Sequence, residues 1–188
     1  MLINPFLFAK ASVPLPTMTG SNTPAGYAAT ASTDTPSTYV AWRAFDGNLS
    51  SLWQSQLGDY DNTTGAYSGS NTLGSETGDW IKLEMPIARE MSSVRLRTRT
   101  TGFWDLFRPI TWKVLVSSDD VSWVVVHSQT TDAFTETEGV ELFTPWISFT
   151  PMTGRFIAVS VQNVYNPDPG NASAIGGNGI NLTEVGFD

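Results

Sequence analysis

The chain has 188 residues, no cysteine and a net charge of −8. That length suits one domain, or one domain with an extension, able to bury roughly 70% of its unfolded surface without disulfides or thiolate metal sites. The acidic balance speaks against a nucleic-acid backbone or an anionic membrane as partner, and no apolar run is long enough to insert into a bilayer.

Residues 1–35 read as an extended N-terminal arm. Leu2, Ile3, Phe6, Leu7 and Phe8 form an apolar tip without a basic flank, so no secretory signal is expected. Pro14, Pro16, Gly20, Pro24 and Gly26 follow among small polar residues, a density that blocks helices and central strands. Leaving such a tip in water is costly, which makes Leu2, Ile3, Phe6 and Phe8 candidate docking residues for the domain or another chain. An apolar arm is also compatible with a homo-oligomer.

Residues 36–188 read as the domain proper. Ala41 to Trp53 carries an apolar run into an Asp46-Gly47-Asn48 turn and lands on a tryptophan. Asp and Asn side chains bond their own backbone in turns, and Gly47 permits a positive φ. The carboxylate of Asp46 and a hydroxyl from Ser50 or Ser51 would form a nest of hard oxygens of the kind Ca²⁺ prefers. So short a loop needs a second segment, and Glu184, the charged position of an apolar-alternating final strand, is the candidate. The same residues also read as a hairpin turn and a solvent-facing glutamate.

A polar insertion, 54–77, holds Tyr60 and Tyr67; so long a loop is functional or mobile. Period-two alternation then marks strands at Trp80–Met85, Val94–Arg99 and Thr111–Ser117, with the arginines 95, 97 and 99 on one solvated face. Ser117 to Asp120 is a turn. Trp123–His127 reads as a buried strand, and Glu141–Phe149, Arg155–Gln162 and Ile180–Phe187 complete the set. About eight strands and no amphipathic helix predict an all-β, eight-stranded antiparallel sandwich or jelly roll.

Catalysis has little to work with. His127 is the only histidine, and no serine has a base beside it. The carboxylate pairs Glu136/Glu138 and Asp119/Asp120 sit in turn-like sequence where nothing would separate their pKa values. Gly176–Gly179 lacks the lysine and helix of a phosphate loop. Thr100–Arg108, by contrast, is an inter-strand loop with three aromatics, a carboxylate and a guanidinium, the residue types that cover sugar faces and dominate interfaces. Phe103 and Phe107 could equally close the barrel end while Arg108 pairs with Asp105.

In order, Ala44-Phe45-Asp46-Gly47-Asn48 with Trp53, Gly78–Leu83, Val94–Arg97, Ile110–Val114 leading to Ser118–Trp123, Gly154–Val159 and Leu182–Val185 resemble the coagulation factor 5/8 type C, or discoidin-like, domain, which includes the family 32 carbohydrate-binding modules. The resemblance covers about 36–188. It implies a jelly roll, a non-catalytic glycan-binding role, and a structural Ca²⁺ held by the Asp46 side chain, carbonyls of Phe45 and Asn48, Ser51 and Glu184. It also implies a sugar site at loop tips, with Arg99 or Arg108 as the sugar-contacting arginine. Trp104 is the stacking candidate, with Asp105, Tyr165 and Asn166 beside it. The chain departs from the family in a longer 54–77 insertion, in the N-terminal arm, and in lacking the cysteine pair of the animal members. Its start resembles short virion proteins of tailed bacteriophages that carry discoidin-like domains. This implies assembly on other virion proteins through the arm, location in the virion or outside the cell, and attachment to surface glycans. The alternative is a structural or decoration protein using the same sandwich for protein contacts.

Overall fold

The structure is a computed structural model and describes residues 15–35, 38–99, 108–137, 141–165 and 179–188. Its strands are β1 Ala28–Ala31, β2 Trp53–Gln54, β3 Thr72–Leu73, β4 Glu76–Thr77, β5 Asp79–Arg99, β6 Pro109–Ser117, β7 Trp123–Gln129, β8 Thr135–Thr137, β9 Glu141–Phe143, β10 Ile147–Val164, β11 Asn181–Leu182 and β12 Glu184–Phe187. A short 3₁₀ helix, Ala41–Phe45, precedes the Asp46 turn. Every strand pairing is antiparallel. Among the described residues no helix is long and apolar enough to cross a membrane.

The main sheet runs β7-β6-β10-β5-β9-β8, with β1 and β12 also paired to β5. Alternation explains β5. Ile81, Leu83 and Met85 face the core in its first half, and Met91, Val94, Leu96 and Thr98 in its second. The inward set changes from odd to even positions across Pro86–Ser93, where the ladder with β10 shifts register twice, with extra residues on β10 between Ser148 and Met152 and on β5 between Glu84 and Arg89. Such bulges bend a strand, so β5 and β10 serve both layers of the sandwich. One cluster containing Ile81, Leu83, Leu96, Trp112, Val159 and Val185 fills the space between them.

Three expectations change. Of the segment read as an arm, residues 15–35 lie on the sandwich: Met18 is buried and donates its N–H to the Phe45 carbonyl at 2.9 Å, and β1, free of proline, takes an edge of β5. The apolar tip, with Leu2, Ile3, Phe6 and Phe8, falls outside the described residues. The 54–77 insertion is pinned rather than loose. Tyr60 is buried with its hydroxyl donating to the Val161 carbonyl at 3.0 Å, and the Tyr67 N–H donates to the Gln162 carbonyl at 2.8 Å. Finally, β7 is a half-exposed edge strand, because it pairs with β6 alone and leaves Val124 47% exposed.

Candidate functional site

The loop from Asp46 to Trp53 is built as its residues dictate. Gly47 takes φ +66°, a left-handed conformation open to glycine. Asp46 Oδ1 accepts the Asn48 N–H at 2.8 Å, and Asn48 Oδ1 accepts the Ser50 N–H at 3.0 Å. The Ser51 hydroxyl lies 2.6 Å from Asp46 Oδ2 and 2.8 Å from the Asn48 carbonyl. Trp53, fully buried, donates its indole N–H to the Thr33 carbonyl at 3.0 Å and pairs with Leu182 across β2 and β11. This tethers the loop to the closing segment. Two residues beyond Leu182, Glu184 Oε2 accepts the Gly47 N–H at 3.2 Å.

Chain positions 46 and 184 therefore meet, and two carboxylates share one corner. Burial, and next the Asp46 charge, push the Glu184 carboxyl up to about 7; the Gly47 N–H and Arg97 only partly offset them. Among the described residues no three acidic, histidine or cysteine side chains converge, so carbonyl and hydroxyl oxygens would have to complete any coordination shell. The donors are all hard oxygens, and the strained carboxylate pair is what a divalent cation would relieve. The residues present fit Ca²⁺ on those grounds. The five expected ligands, Phe45, Asp46, Asn48, Ser51 and Glu184, lie on this loop and on the strand beside it; the Phe45 carbonyl also accepts the Met18 N–H, as the Asn48 carbonyl accepts the Ser51 N–H, and each keeps a second lone pair.

The expected sugar site is described only in part. Trp104, Asp105 and Asn166 lie outside the described residues, as do Phe103 and Phe107. Arg108 and Tyr165 come together: the guanidinium lies 3.5 Å from the Tyr165 ring centroid, and the Tyr165 N–H donates to the Arg108 carbonyl at 2.9 Å. Asp132 Oδ2 takes Arg108 Nε at 2.9 Å and Nη2 at 2.7 Å, fixing the plane of the stack. Asp132, from the turn after β7, was not singled out in the sequence; only tertiary folding brings it to Arg108. Arg99 is elsewhere, its Nη2 donating to the Ser50 carbonyl at 3.2 Å. It belongs beside the Asp46 loop because outward positions of β5 face that loop.

Other candidates resolve into structural roles. Asp119 accepts the N–H groups of Ser122 and Val121, which depress its pKa to about 2, and Asp120 pairs with Lys82. That is the reverse of what a general acid needs. His127 sits beside Trp112 at 5.5 Å between ring centroids, 3.3 Å from Gln129 Oε1.

The fold is that of the discoidin-like jelly-roll sandwiches. No protein-family model and no curated protein matches the sequence. Among solved structures, the chain is similar to chitosan-binding module 1 of a chitosanase/glucanase from Paenibacillus sp. IK-5 (TM-score 0.58, 20% identity, covering 87% of this chain and 95% of that one). It is also similar to the family 32 carbohydrate-binding module of Clostridium perfringens NanJ in complex with galactose (TM-score 0.55, 16% identity, 86% and 93%). A third is chitosan-binding module 2 of the Paenibacillus enzyme in complex with chitotriose (TM-score 0.57, 19% identity, 86% and 95%).

Proposed function

We propose that this domain is a non-catalytic carbohydrate-binding module that attaches its owner to surface glycans, with the sugar held at the end of the sandwich where Arg108 and Tyr165 stack. The observation that carries the reading is that stack. An aromatic face and a guanidinium, oriented by Asp132, stand together at the start of β6 and the end of β10. Aromatic faces cover sugar C–H surfaces, and a pre-oriented guanidinium bonds hydroxyls at low entropic cost. The fold likeness to modules solved with galactose and chitotriose supports it.

Glycan-array binding of the whole protein tests the reading. The wild type is expected to be retained on at least one glycan. Tyr165→Ala and Trp104→Ala should each weaken retention about tenfold or more while moving the melting temperature by no more than about 2 °C, the usual size for a contact residue outside the core. A wild type retained on no array glycan overturns the proposal.

The proposal includes a structural Ca²⁺ at the Phe45 and Asn48 carbonyls, Asp46, Ser51 and Glu184, where its chemistry would be charge neutralisation and loop fixation. Its finer part, attachment of a virion to host glycans, rests on the sequence resemblance. It places Leu2, Ile3, Phe6 and Phe8 against another virion protein. Deleting residues 2–9 is then expected to release the protein from the particle without lowering its melting temperature, and particle retention of the deletion variant would remove that part.

A further inference from the structure

The 54–77 insertion reaches the end of β10 through its backbone. β5 begins at Asp79, opposite Val161 of β10, so among the described residues no strand of the main sheet continues past Val161 on that side. The insertion fills the open edge in antiparallel order. The Tyr67 N–H donates to the Gln162 carbonyl at 2.8 Å, Ala66 bridges Asn163, and the Val164 N–H donates to the Gly65 carbonyl at 2.9 Å. The Asn163 side-chain amide adds a bond to the Thr64 carbonyl at 3.1 Å. Tyr165, whose ring stacks with Arg108, is the next residue. On the β6 side Val164 lies opposite Pro109, which has no N–H to give. The end of β10 therefore hangs on Gly65 from one side. From the other it hangs on the bond from the Tyr165 N–H to the Arg108 carbonyl, 2.9 Å.

The turn that presents Gly65 is set by its own sequence. Asp61 Oδ1 accepts the N–H groups of Thr63 at 3.0 Å and Thr64 at 2.7 Å and the Thr64 hydroxyl at 2.8 Å. The Gly65 N–H closes the turn on the Asp61 carbonyl at 2.8 Å. Gly65 stands at φ +70°, and a Cβ there would sit 2.2 Å from the Val164 carbonyl oxygen. Cβ contacts essentially never fall under 3.0 Å, so any side chain would part the two backbones by about 0.8 Å. A binding constellation needs its groups held to within about 0.5 Å. The displacement exceeds what such a site tolerates. Nor can the insertion slide away as a whole. The Tyr60 hydroxyl holds it to the Val161 carbonyl at 3.0 Å, and Asn71 Nδ2 holds it to the buried Asp79 carboxylate at 3.0 Å.

We propose that the 61–67 turn is a positioning wall of the glycan site: Gly65 fixes the Val164 backbone, and through it the angle at which Tyr165 offers its ring to the sugar. The inference rests on the glycan-binding reading and adds to it a positioning residue outside the stack. Gly65 touches no sugar; it acts through residues 164 and 165. A backbone-bonded wall orders the aromatic before the sugar arrives, so less entropy is lost on binding. The lengthened insertion thereby acquires a role in recognition.

The test reads the wall with and without sugar. In the sugar-free full chain, amide hydrogen exchange followed by NMR is expected to be at least tenfold faster at Val164 and Tyr165 in Gly65→Ala than in the wild type. Gly65→Asn should behave alike, because asparagine tolerates a positive φ yet brings the same Cβ. Gly74→Ala is the control. It also adds a Cβ at a positive φ, +60°, but meets Trp123, at the opposite end of β7 from the Asp132 turn. It should leave both amides and glycan retention as in the wild type. Asn163→Ala, which deletes the bond to Thr64, is the milder variant should Gly65→Ala not fold, with exchange at Val164 and Tyr165 about threefold faster. On the glycan array, galactose and chitotriose included, Gly65→Ala should lose at least tenfold in retention. Wild-type exchange at Tyr165 in Gly65→Ala and Asn163→Ala overturns the inference, as does wild-type exchange in Gly65→Asn. So does full retention of Gly65→Ala on the array, or a loss in Gly74→Ala equal to that in Gly65→Ala. A wild type that holds a glycan while Gly65→Ala leaves the Tyr165 amide unchanged removes the wall and leaves the module reading standing. Absence of any bound glycan removes both.

Discussion

Saturating Ca²⁺ at pH 7.5 is expected to raise the melting temperature of the chelated protein by about 5–10 °C. A ligand that binds only the native state adds about 2.7 kcal/mol at a hundredfold excess over its Kd, and each kcal/mol moves a domain of this size by about 2–4 °C. The Glu184 carboxyl gives the effect a pH signature. Its pKa stands at about 7 against an ordinary 4.5, so in chelator its favourable contribution is complete below pH 4.5. That contribution is lost as the pH rises through 7, because the ionised form is held buried beside Asp46. The loss amounts to about 2 kcal/mol once solvent screening is allowed for. Bound Ca²⁺ requires the ionised carboxylate, so between pH 5 and 7 the slope of stability against pH should reverse when the metal is present. Groups such as Asp79, also raised by burial, contribute alike with and without metal and cancel in the difference. Glu184→Gln should melt above the wild type in chelator and lose the Ca²⁺ response. Melts that chelator leaves unchanged, with the same pH slope in both conditions, would remove the metal from the proposal.

The strands were legible where side chains alternate. Ile81, Leu83 and Met85 face inward as their spacing predicts, as do Val94, Leu96 and Thr98. Periodicity did not show that these are two halves of one strand, since Pro86–Ser93 breaks the alternation where the ladder with β10 shifts register, once with the extra residues on β10 and once on β5 itself. The valines of β7 read as buried because composition reports what a strand prefers, whereas edge or centre is decided by which strands flank it. The turn at Asp46 announced itself through Asp-Gly-Asn. Its partner Glu184 was a candidate by alternation and chain position, and only folding brings it to Gly47. Asp132 on Arg108 gave no local signal. Trp146 did give one, an indole in the polar phase of an alternating stretch, and its exposure of 51% follows from that phase.

Replacing Trp53 by alanine is expected to be among the most damaging single changes, costing about 3–5 kcal/mol, or a fall in melting temperature of about 10 °C or more. Its ring is completely enclosed, so truncation opens a cavity in the main core, and the indole N–H leaves the Thr33 carbonyl without that donor. Trp53→Phe separates the two contributions. Most of the packing survives, and the unsatisfied carbonyl alone should cost about 1–3 kcal/mol. The position also couples stability to the site. Trp53 pairs with Leu182, two residues before Glu184, and ends the loop that begins at Asp46, so it fixes the approach of the two carboxylates from both chain segments. Trp53→Phe, folded at 25 °C, should therefore show a smaller Ca²⁺-dependent rise in melting temperature than the wild type. A full wild-type response in that variant would mean that the loop holds its shape through its own Asp46, Asn48 and Ser51 hydrogen bonds. The tryptophan would then serve the core alone.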